Sequence, residues 1–200
     1  MTKIAIDIAI IPPEEIMDKI IAINKIEAER GNARGPLAKD DFYPHISLAV
    51  GTIKKEDFEK VKEMFVKTLK NQNSLNIKLT GTYYATKSDG SKSYALKIIK
   101  TEEIQKIHEK LMNNLLSYFS YDATSEELYK KKNEETKPPS HVNKYKKKSS
   151  FENFDPHLTL RCKEVELNEF TITFIASTIA ICHVGTETTC RKILFQTRLK

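Results

Sequence analysis

One short pattern occurs twice in this 200-residue chain, and it constrains the fold more than any other feature. Residues 42–48 read Phe-Tyr-Pro-His-Ile-Ser-Leu, and residues 154–160 read Phe-Asp-Pro-His-Leu-Thr-Leu. After the proline each copy alternates polar and apolar residues, which predicts a β-strand with one polar face. Because side chains two residues apart share a strand face, the imidazole and the hydroxyl of each copy point the same way.

The two polar faces carry His45 with Ser47, and His157 with Thr159. If the two strands lie beside each other, they form a cleft floor with two imidazoles and two hydroxyls. Histidine titrates near neutrality and can act as a general base or a general acid, while the hydroxyls can hold phosphate oxygens. The set therefore suits cleavage of a phosphoester without a metal or other cofactor, and the pattern leaves open which histidine is the base.

Arg161 follows Thr159 by two residues and shares its face as long as the strand stays regular. A guanidinium there could grip a phosphate, so we predict that Arg161 binds substrate. The corresponding residue after the first motif is Ala49, which makes such a grip one-sided. Tyr83 and Tyr84 alternate faces, so one of them could stack on a base, although a core or surface role is the simpler interpretation.

Hydrophobic periodicity predicts the element order β-α-β-α-β-β-α-insertion-β-β-β. We predict helices over 13–30, 54–70 and 101–119. We predict strands over 3–11, the first motif up to about 51, 75–85, 93–99, 155–161, 170–183 and 192–199, with a hairpin turn at Asp89 and Gly90. Residues 122–150 are polar and lysine-rich, and we interpret them as an insertion or mobile loop with a short helix near 125–132.

Composition limits the partners and the compartment. The net charge of +6 favours a negatively charged partner. The three cysteines are odd in number and lack a Cys-x-x-Cys spacing, so we expect no disulfide framework, no zinc site and a reducing, cytoplasmic setting. The apolar N-terminal segment is too short to cross a bilayer, and no other segment approaches that length, so we expect no membrane contact.

The two His-x-Ser/Thr-x tetrapeptides, each led by proline and separated by about half a chain, resemble the two-histidine phosphoesterase superfamily. That superfamily includes 2′-5′ RNA ligases and cyclic phosphodiesterases. The resemblance implies an α+β fold of two pseudo-duplicated lobes, each an antiparallel sheet backed by helices, with one tetrapeptide on each wall of a central cleft. It also implies a single bilobal domain over 1–200, in which the polar lysine-rich insertion at 122–150 is longer than a compact member of the superfamily needs.

By this resemblance His45 and His157 are the catalytic residues, and Ser47 and Thr159 donate hydrogen bonds to the substrate phosphate. Strand geometry, not the resemblance, adds Arg161 as a third residue that binds it. The implied activity is metal-independent hydrolysis of a nucleotide or RNA phosphoester, and we expect a monomer. Three substrates stay open: a 2′,3′-cyclic phosphate, a 2′-5′ linkage and a cyclic oligonucleotide. Two other functions also stay open, a 2′-5′ RNA ligase and a non-catalytic module that binds RNA or a nucleotide.

Overall fold

The computed structural model describes residues 2–86, 90–166 and 169–200, which form eight strands and four α-helices. The strands are β1 (Lys3–Ile11), β2 (Ile46–Lys54), β3 (Leu75–Thr86), β4 (Lys92–Ile98), β5 (His157–Thr159), β6 (Ile172–Ala176), β7 (Thr178–Val184) and β8 (Cys190–Arg198). The helices are α1 (Glu14–Glu29), α2 (Phe58–Leu69), α3 (Glu102–Leu115) and α4 (Ser140–Lys148).

The strands form two four-stranded antiparallel sheets, one in each lobe. The first sheet has the order β2-β1-β7-β8, and the second has the order β5-β4-β3-β6. Both motif strands, β2 and β5, are edge strands, and these two edges contact each other. The predicted two-lobed α+β fold is therefore confirmed, with both motifs at the junction of the lobes.

The alternation of the motif strands matches their burial. Ile46 and Leu48 in β2 are fully buried, and so are Leu158 in β5 and Leu160 just after it. The polar residues between them, Ser47 and Thr159, are only partly buried. The apolar faces thus anchor both strands in the core, which leaves the polar faces at the junction.

The predicted helices before the insertion are confirmed to within a few residues. α2 buries Val61, Phe65 and Leu69 at helical spacing. Thr101 caps α3 by accepting a hydrogen bond from the backbone N–H of Ile104 at 3.3 Å. Strands β3 and β4 also match their predictions, but residues 87–89 of the predicted hairpin turn lie outside the described residues.

The prediction of one strand over 170–183 is wrong. The chain leaves the second sheet at the end of β6 and enters the first sheet at the start of β7, with only Ser177 between them. β6 pairs with β3, whereas β7 pairs with β1 and β8. One continuous β-branched run thus serves two sheets, because the long-range pairing partner changes in the middle of it.

The interpretation of 122–150 as a loop is wrong for 140–148, which form a helix, whereas 122–139 are irregular apart from short turns. The helix expected near 125–132 is a single 3₁₀ turn at Ser125–Glu127, and the longer helix is α4. Val142 and Tyr145 on α4 are 1% and 3% exposed, and the helix packs on β2. Its lysines face solvent while these two side chains join the core, so the segment supports the first motif strand.

The expectation of unpaired cysteines holds for Cys162 alone, which is buried. Cys182 on β7 and Cys190 on β8 form a disulfide, with their Cα atoms 5.5 Å apart. The antiparallel pairing of β7 and β8 brings the two residues together. The count of three cysteines could not indicate this pair, because its partners become neighbours only through that pairing.

His108 on α3 joins the two motif regions from inside the core. Its Nδ1 donates to the carbonyl of Leu48 on β2 at 2.6 Å, and its Nε2 accepts from the backbone N–H of Phe151 at 2.7 Å. The ring also stacks on Phe154, with centroids 3.9 Å apart. Because one ring nitrogen donates and the other accepts, this arrangement requires neutral imidazole. Burial accordingly lowers the pKa of His108.

The structure predicts how His108 affects stability. A histidine whose pKa is lowered by folding adds stability that is present above about pH 6.5 and lost as the pH falls. We expect the free energy of unfolding to fall between about pH 7.5 and 5.5, and a His108→Gln variant to show a decline smaller by on the order of 1 kcal/mol. Urea unfolding at several pH values measures this.

The control for this prediction is His141→Gln, at an exposed position on α4, which should keep the wild-type decline. His183, whose pKa burial also lowers, and His45, whose pKa is raised and which therefore acts in the opposite direction, are present in all three proteins and contribute equally to each. Equal pH dependence of the wild type and His108→Gln would contradict the role given to His108.

Candidate active site

The two motif histidines are held in the same way. The Nδ1 of His45 lies 2.7 Å from the carbonyl oxygen of Tyr43, and the Nδ1 of His157 lies 2.9 Å from that of Asp155. In each case the acceptor is two residues earlier and a proline stands between. A backbone carbonyl can only accept, so Nδ1 carries a proton in both rings. The tether fixes the orientation of both imidazoles and leaves Nε2 for other contacts.

The first motif has a carboxylate partner on the neighbouring strand. Asp7 on β1 is fully buried, and its Oδ2 accepts a hydrogen bond from Ser47 Oγ at 2.5 Å. The same oxygen lies 3.4 Å from His45 Nε2. Asp7 thus links the imidazole and the hydroxyl that the sequence placed on one face. Oδ1 of this carboxylate is buried and has no hydrogen-bond partner among the described residues.

This carboxylate favours the charged form of His45. Burial alone would lower the pKa of His45, but the hydrogen bond and charge of Asp7 oppose it, with help from the carbonyls of Tyr43 and Thr188. The net effect raises the pKa of His45 above its ordinary value. With Nδ1 bonded to a carbonyl and Nε2 facing a carboxylate, His45 is arranged as an imidazolium.

Helix α4 backs the same carboxylate. Burial raises the pKa of the Tyr145 phenol, and the nearby charge of Asp7 raises it further. The Tyr145 hydroxyl is buried and lacks a hydrogen-bond partner in the part of the chain that the structure describes. The lysine-rich segment therefore contributes a wall of the first motif.

The second motif is more open. The His157 ring contacts Tyr83 edge-on, with centroids 6.4 Å apart. Thr159 is partly exposed, and its hydroxyl has no hydrogen bond within residues 2–86, 90–166 and 169–200. Among the described residues no carboxylate joins His157 to Thr159 as Asp7 joins His45 to Ser47. The register partners on β4 are Lys97 opposite His157 and Ala95 opposite Thr159.

The expectation that Arg161 shares the strand face of Thr159 is wrong, because β5 ends at Thr159 and Arg161 has a φ of 53°. The guanidinium turns toward the other motif: its Cζ lies 3.8 Å from the ring centroid of Phe42, and it donates to the carbonyl of Pro36 at 3.0 Å. Arg191 also lies over Phe42 at 3.8 Å, but that guanidinium is paired with Asp41 and Glu134. A substrate contact by Arg161 stays a prediction.

Sequence reasoning missed two residues that shape this site. Asp7 is the one charged residue between Ile4 and Ile11 of a buried strand. A single charge in such an apolar strand was the sequence feature that could have indicated its role. Asn24 on α1 donates to the carbonyl of Leu160 at 2.9 Å and accepts from the N–H of Leu37 at 3.0 Å. It ties the end of the second motif to the first half, and an asparagine in a helix gave no such signal.

Among the described residues, neither a metal-binding cluster nor a membrane-spanning helix is present. Across 2–86, 90–166 and 169–200, no cluster of three or more histidine, cysteine, aspartate or glutamate residues could hold a metal ion. Among the helices formed by those residues, none has the length and apolar character needed to cross a membrane.

Comparisons with known proteins identify the family of this chain. The family model described as the 2′-5′ RNA ligase superfamily matches residues 12–167, which include both motifs. No curated protein gives a significant sequence match.

Solved structures share the fold at low identity. TT0787 of Thermus thermophilus has a TM-score of 0.67 at 16% identity, with 98% of each chain covered. E. coli LigT in complex with NADP+ has a TM-score of 0.65 at 15% identity, covering 100% of this chain and 99% of that chain. A structure described as a phosphoesterase has a TM-score of 0.57 at 13% identity, with 100% and 99% covered.

The contact between Asp7 and His45 predicts a change in titration. We expect Asp7→Asn to lower the pKa of His45, because the neutral amide no longer stabilises the imidazolium. Ser47→Ala is the matched control, since it removes the hydroxyl but keeps the carboxylate and so should keep the pKa raised. NMR titration of the His45 ring protons measures both variants, and an unchanged pKa in Asp7→Asn would contradict the assignment.

Proposed function

Because the chain belongs to the 2′-5′ RNA ligase superfamily, we propose that it hydrolyses a nucleotide or RNA phosphodiester by paired general acid and base catalysis. The observation that carries the proposal is the matched tether of His45 and His157, in which each Nδ1 is fixed by a backbone carbonyl. Two oriented imidazoles can move two protons around one phosphate, which this reaction requires.

His45 is the general acid in this proposal. Its Nε2 faces the Asp7 carboxylate at 3.4 Å, and this carboxylate raises the pKa of His45 and so favours the protonated ring. A proton on Nε2 can pass to the leaving oxygen as its bond to phosphorus breaks. Asp7 then faces the neutral ring and favours its reprotonation.

His157 is the general base. The tether to Asp155 places the proton on Nδ1, so the neutral ring has a lone pair on Nε2. This nitrogen takes a proton from water as the water oxygen forms its bond to phosphorus. The leaving oxygen receives the proton from His45, so a cyclic phosphate opens to a monoester and no other reactant is consumed.

The hydroxyls of Ser47 and Thr159 have different roles in this proposal. Thr159 is free to donate to a non-bridging oxygen, and a hydrogen bond to a charged group contributes about 1.5–3 kcal/mol. Ser47 already donates to Asp7, so binding phosphate through Ser47 requires that bond to open. Arg161 adds positive charge beside Phe42, and we propose that its guanidinium contacts the substrate phosphate.

The substrate classes we propose are a nucleotide, a cyclic oligonucleotide or RNA. The net charge of +6 supports an anionic partner, and LigT, which shares the fold, has been solved with NADP+, 3′-AMP and ATP. We propose that the protein acts as a monomer in the cytoplasm, where complete burial shields the disulfide between Cys182 and Cys190 from thiol reductants.

Ligation is the second candidate, since the matching family is named for 2′-5′ RNA ligase. In ligation the 5′-hydroxyl of a second RNA takes the place of water: it gives its proton to His157 as its oxygen bonds to phosphorus, and His45 protonates the leaving oxygen of the cyclic phosphate. Water drives the reaction toward hydrolysis unless the site holds two RNA ends together.

The proposal predicts the effect of removing either histidine. We expect His45→Ala and His157→Ala each to lower kcat/KM by about 10²–10⁴-fold, because each loses one positioned proton-transfer group. The assay follows hydrolysis of 2′,3′-cyclic nucleotides, 2′-5′ oligoadenylates and cyclic dinucleotides in EDTA, with His141→Ala as the control that keeps activity.

Two results would contradict this proposal. Turnover that survives in either motif variant would remove the paired mechanism, and loss of wild-type turnover in EDTA would indicate metal-dependent chemistry. A folded wild type that binds these substrates and cleaves none of them would favour the binding module.

A further inference from the structure

A groove lies beside the second motif, outside the two histidines and their hydroxyls. Its volume is about 780 Å³, and its walls come from β3, β4 and the segment that leads into β6. The register of β3 shifts between Leu79, which pairs with Ile98, and Thr82, which pairs with Leu96. This bulge contains Gly81 with a φ of 137°, a backbone conformation that favours glycine.

The bulge explains why the groove is open. β6 pairs with β3 only from Leu75 to Leu79, so within the described residues no strand pairs with the rest of β3 on that side. Residues 169–171 line the groove there, and Thr82 donates to the carbonyl of Glu166 at 3.0 Å. The groove is the space between residues 169–171 and the bulged part of β3.

The groove and His157 share one face of the sheet. Lys97 on β4 is directly opposite His157 in the pairing with β5, so the two side chains lie next to each other. Tyr83 pairs with Ala95, which pairs with Thr159, and the Tyr83 ring contacts His157. Both Tyr83 and Lys97 line the groove, so it continues directly from the second motif.

Lys97 is exposed, and within the described residues its ammonium group has no ion pair or hydrogen bond. Other lysines close to the motifs are occupied: Lys100 donates to the carbonyl of Phe154, and Lys131 pairs with Asp41. Lys97 is therefore the lysine on the His157 face of β4 that is available for an anion.

The remaining walls suit a nucleoside. Tyr83 and Phe170 supply aromatic surface on which a base can stack. Glu169 and the hydroxyl of Thr171 can bond ribose hydroxyls or base amino groups. A volume of about 780 Å³ is within the range of small-molecule sites. Aromatic surface, a cation and hydroxyl partners together match the parts of a nucleotide.

We propose that this groove binds the nucleotide next to the scissile phosphate, with Lys97 pairing with the adjoining phosphate. The substrate is then an oligonucleotide with at least one phosphodiester beyond the bond that is cleaved, and a mononucleotide fills only part of the site. This inference rests on the proposed function, because it takes the scissile phosphate to lie at His45 and His157.

Binding measurements test the groove without requiring turnover. In a His45→Ala/His157→Ala background, isothermal titration gives Kd for 2′,3′-cyclic AMP and for ApA with a 2′,3′-cyclic phosphate end. We expect the dinucleotide to bind at least tenfold more tightly. Adding Lys97→Met should lower that preference by about tenfold, since one charge-assisted contact is lost.

Two further variants separate the groove from general charge effects. Lys97→Arg should keep most of the preference, because it keeps the cation. Lys92→Met removes a lysine from the same strand, where its ammonium lies 4.2 Å from the Tyr84 ring centroid, and should leave the preference unchanged. Equal Kd values for the two ligands, or a preference that Lys97→Met does not alter, would overturn the proposal.

These results are independent of the hydrolysis assays. Equal Kd values together with histidine-dependent cleavage would contradict the proposed role of the groove and leave the proposed function intact. A dinucleotide preference that depends on Lys97, in a protein that cleaves none of the substrates, would support the role of the groove and contradict the proposed hydrolysis.

Discussion

The imidazole of His108 is the interaction on which the placement of both motifs depends. Its two nitrogens bond to Leu48, three residues after His45, and to Phe151, six residues before His157. Motif strands at the edges of separate sheets have no backbone ladder between them, so another group must fix their separation. A neutral buried ring with both nitrogens bonded does this at the junction of the lobes. The stacking of the His108 ring on Phe154 adds a third contact, which is made with the second motif.

The two motifs have the same internal geometry and different neighbours. Each histidine is tethered through Nδ1 to a carbonyl two residues earlier. His45 then faces a buried carboxylate, whereas His157 lies beside Tyr83 and an open groove. A repeated sequence thus places two imidazoles in different surroundings, and the carboxylate beside His45 raises the pKa of that ring. The difference comes from adjacent strands, where Asp7 stands on one side and Lys97 on the other.

The sequence predicted what depends on local pattern. Alternation at 44–48 and 156–160 identified the motif strands and their polar faces, and helical periodicity identified α1, α2 and α3. The misses depend on long-range contacts. α4 has only Val142 and Tyr145 to bury, so it is stabilised by packing on β2 rather than by its own pattern. The break at Ser177 and the pairing of Cys182 with Cys190 follow from which strands meet, and Asp7 became meaningful only once β1 paired with β2.

The central claim is that His45 and His157 act on one phosphate from two sides. A crystal structure with a nucleoside vanadate, a mimic of the five-coordinate phosphorus, tests it most directly. We predict that the Nε2 atoms of the two histidines each lie within hydrogen-bond distance of a different apical oxygen, with Thr159 bonded to an equatorial one. Vanadate that contacts only one histidine, while His45 keeps its contact with Asp7 and stays away from the ligand, would contradict it.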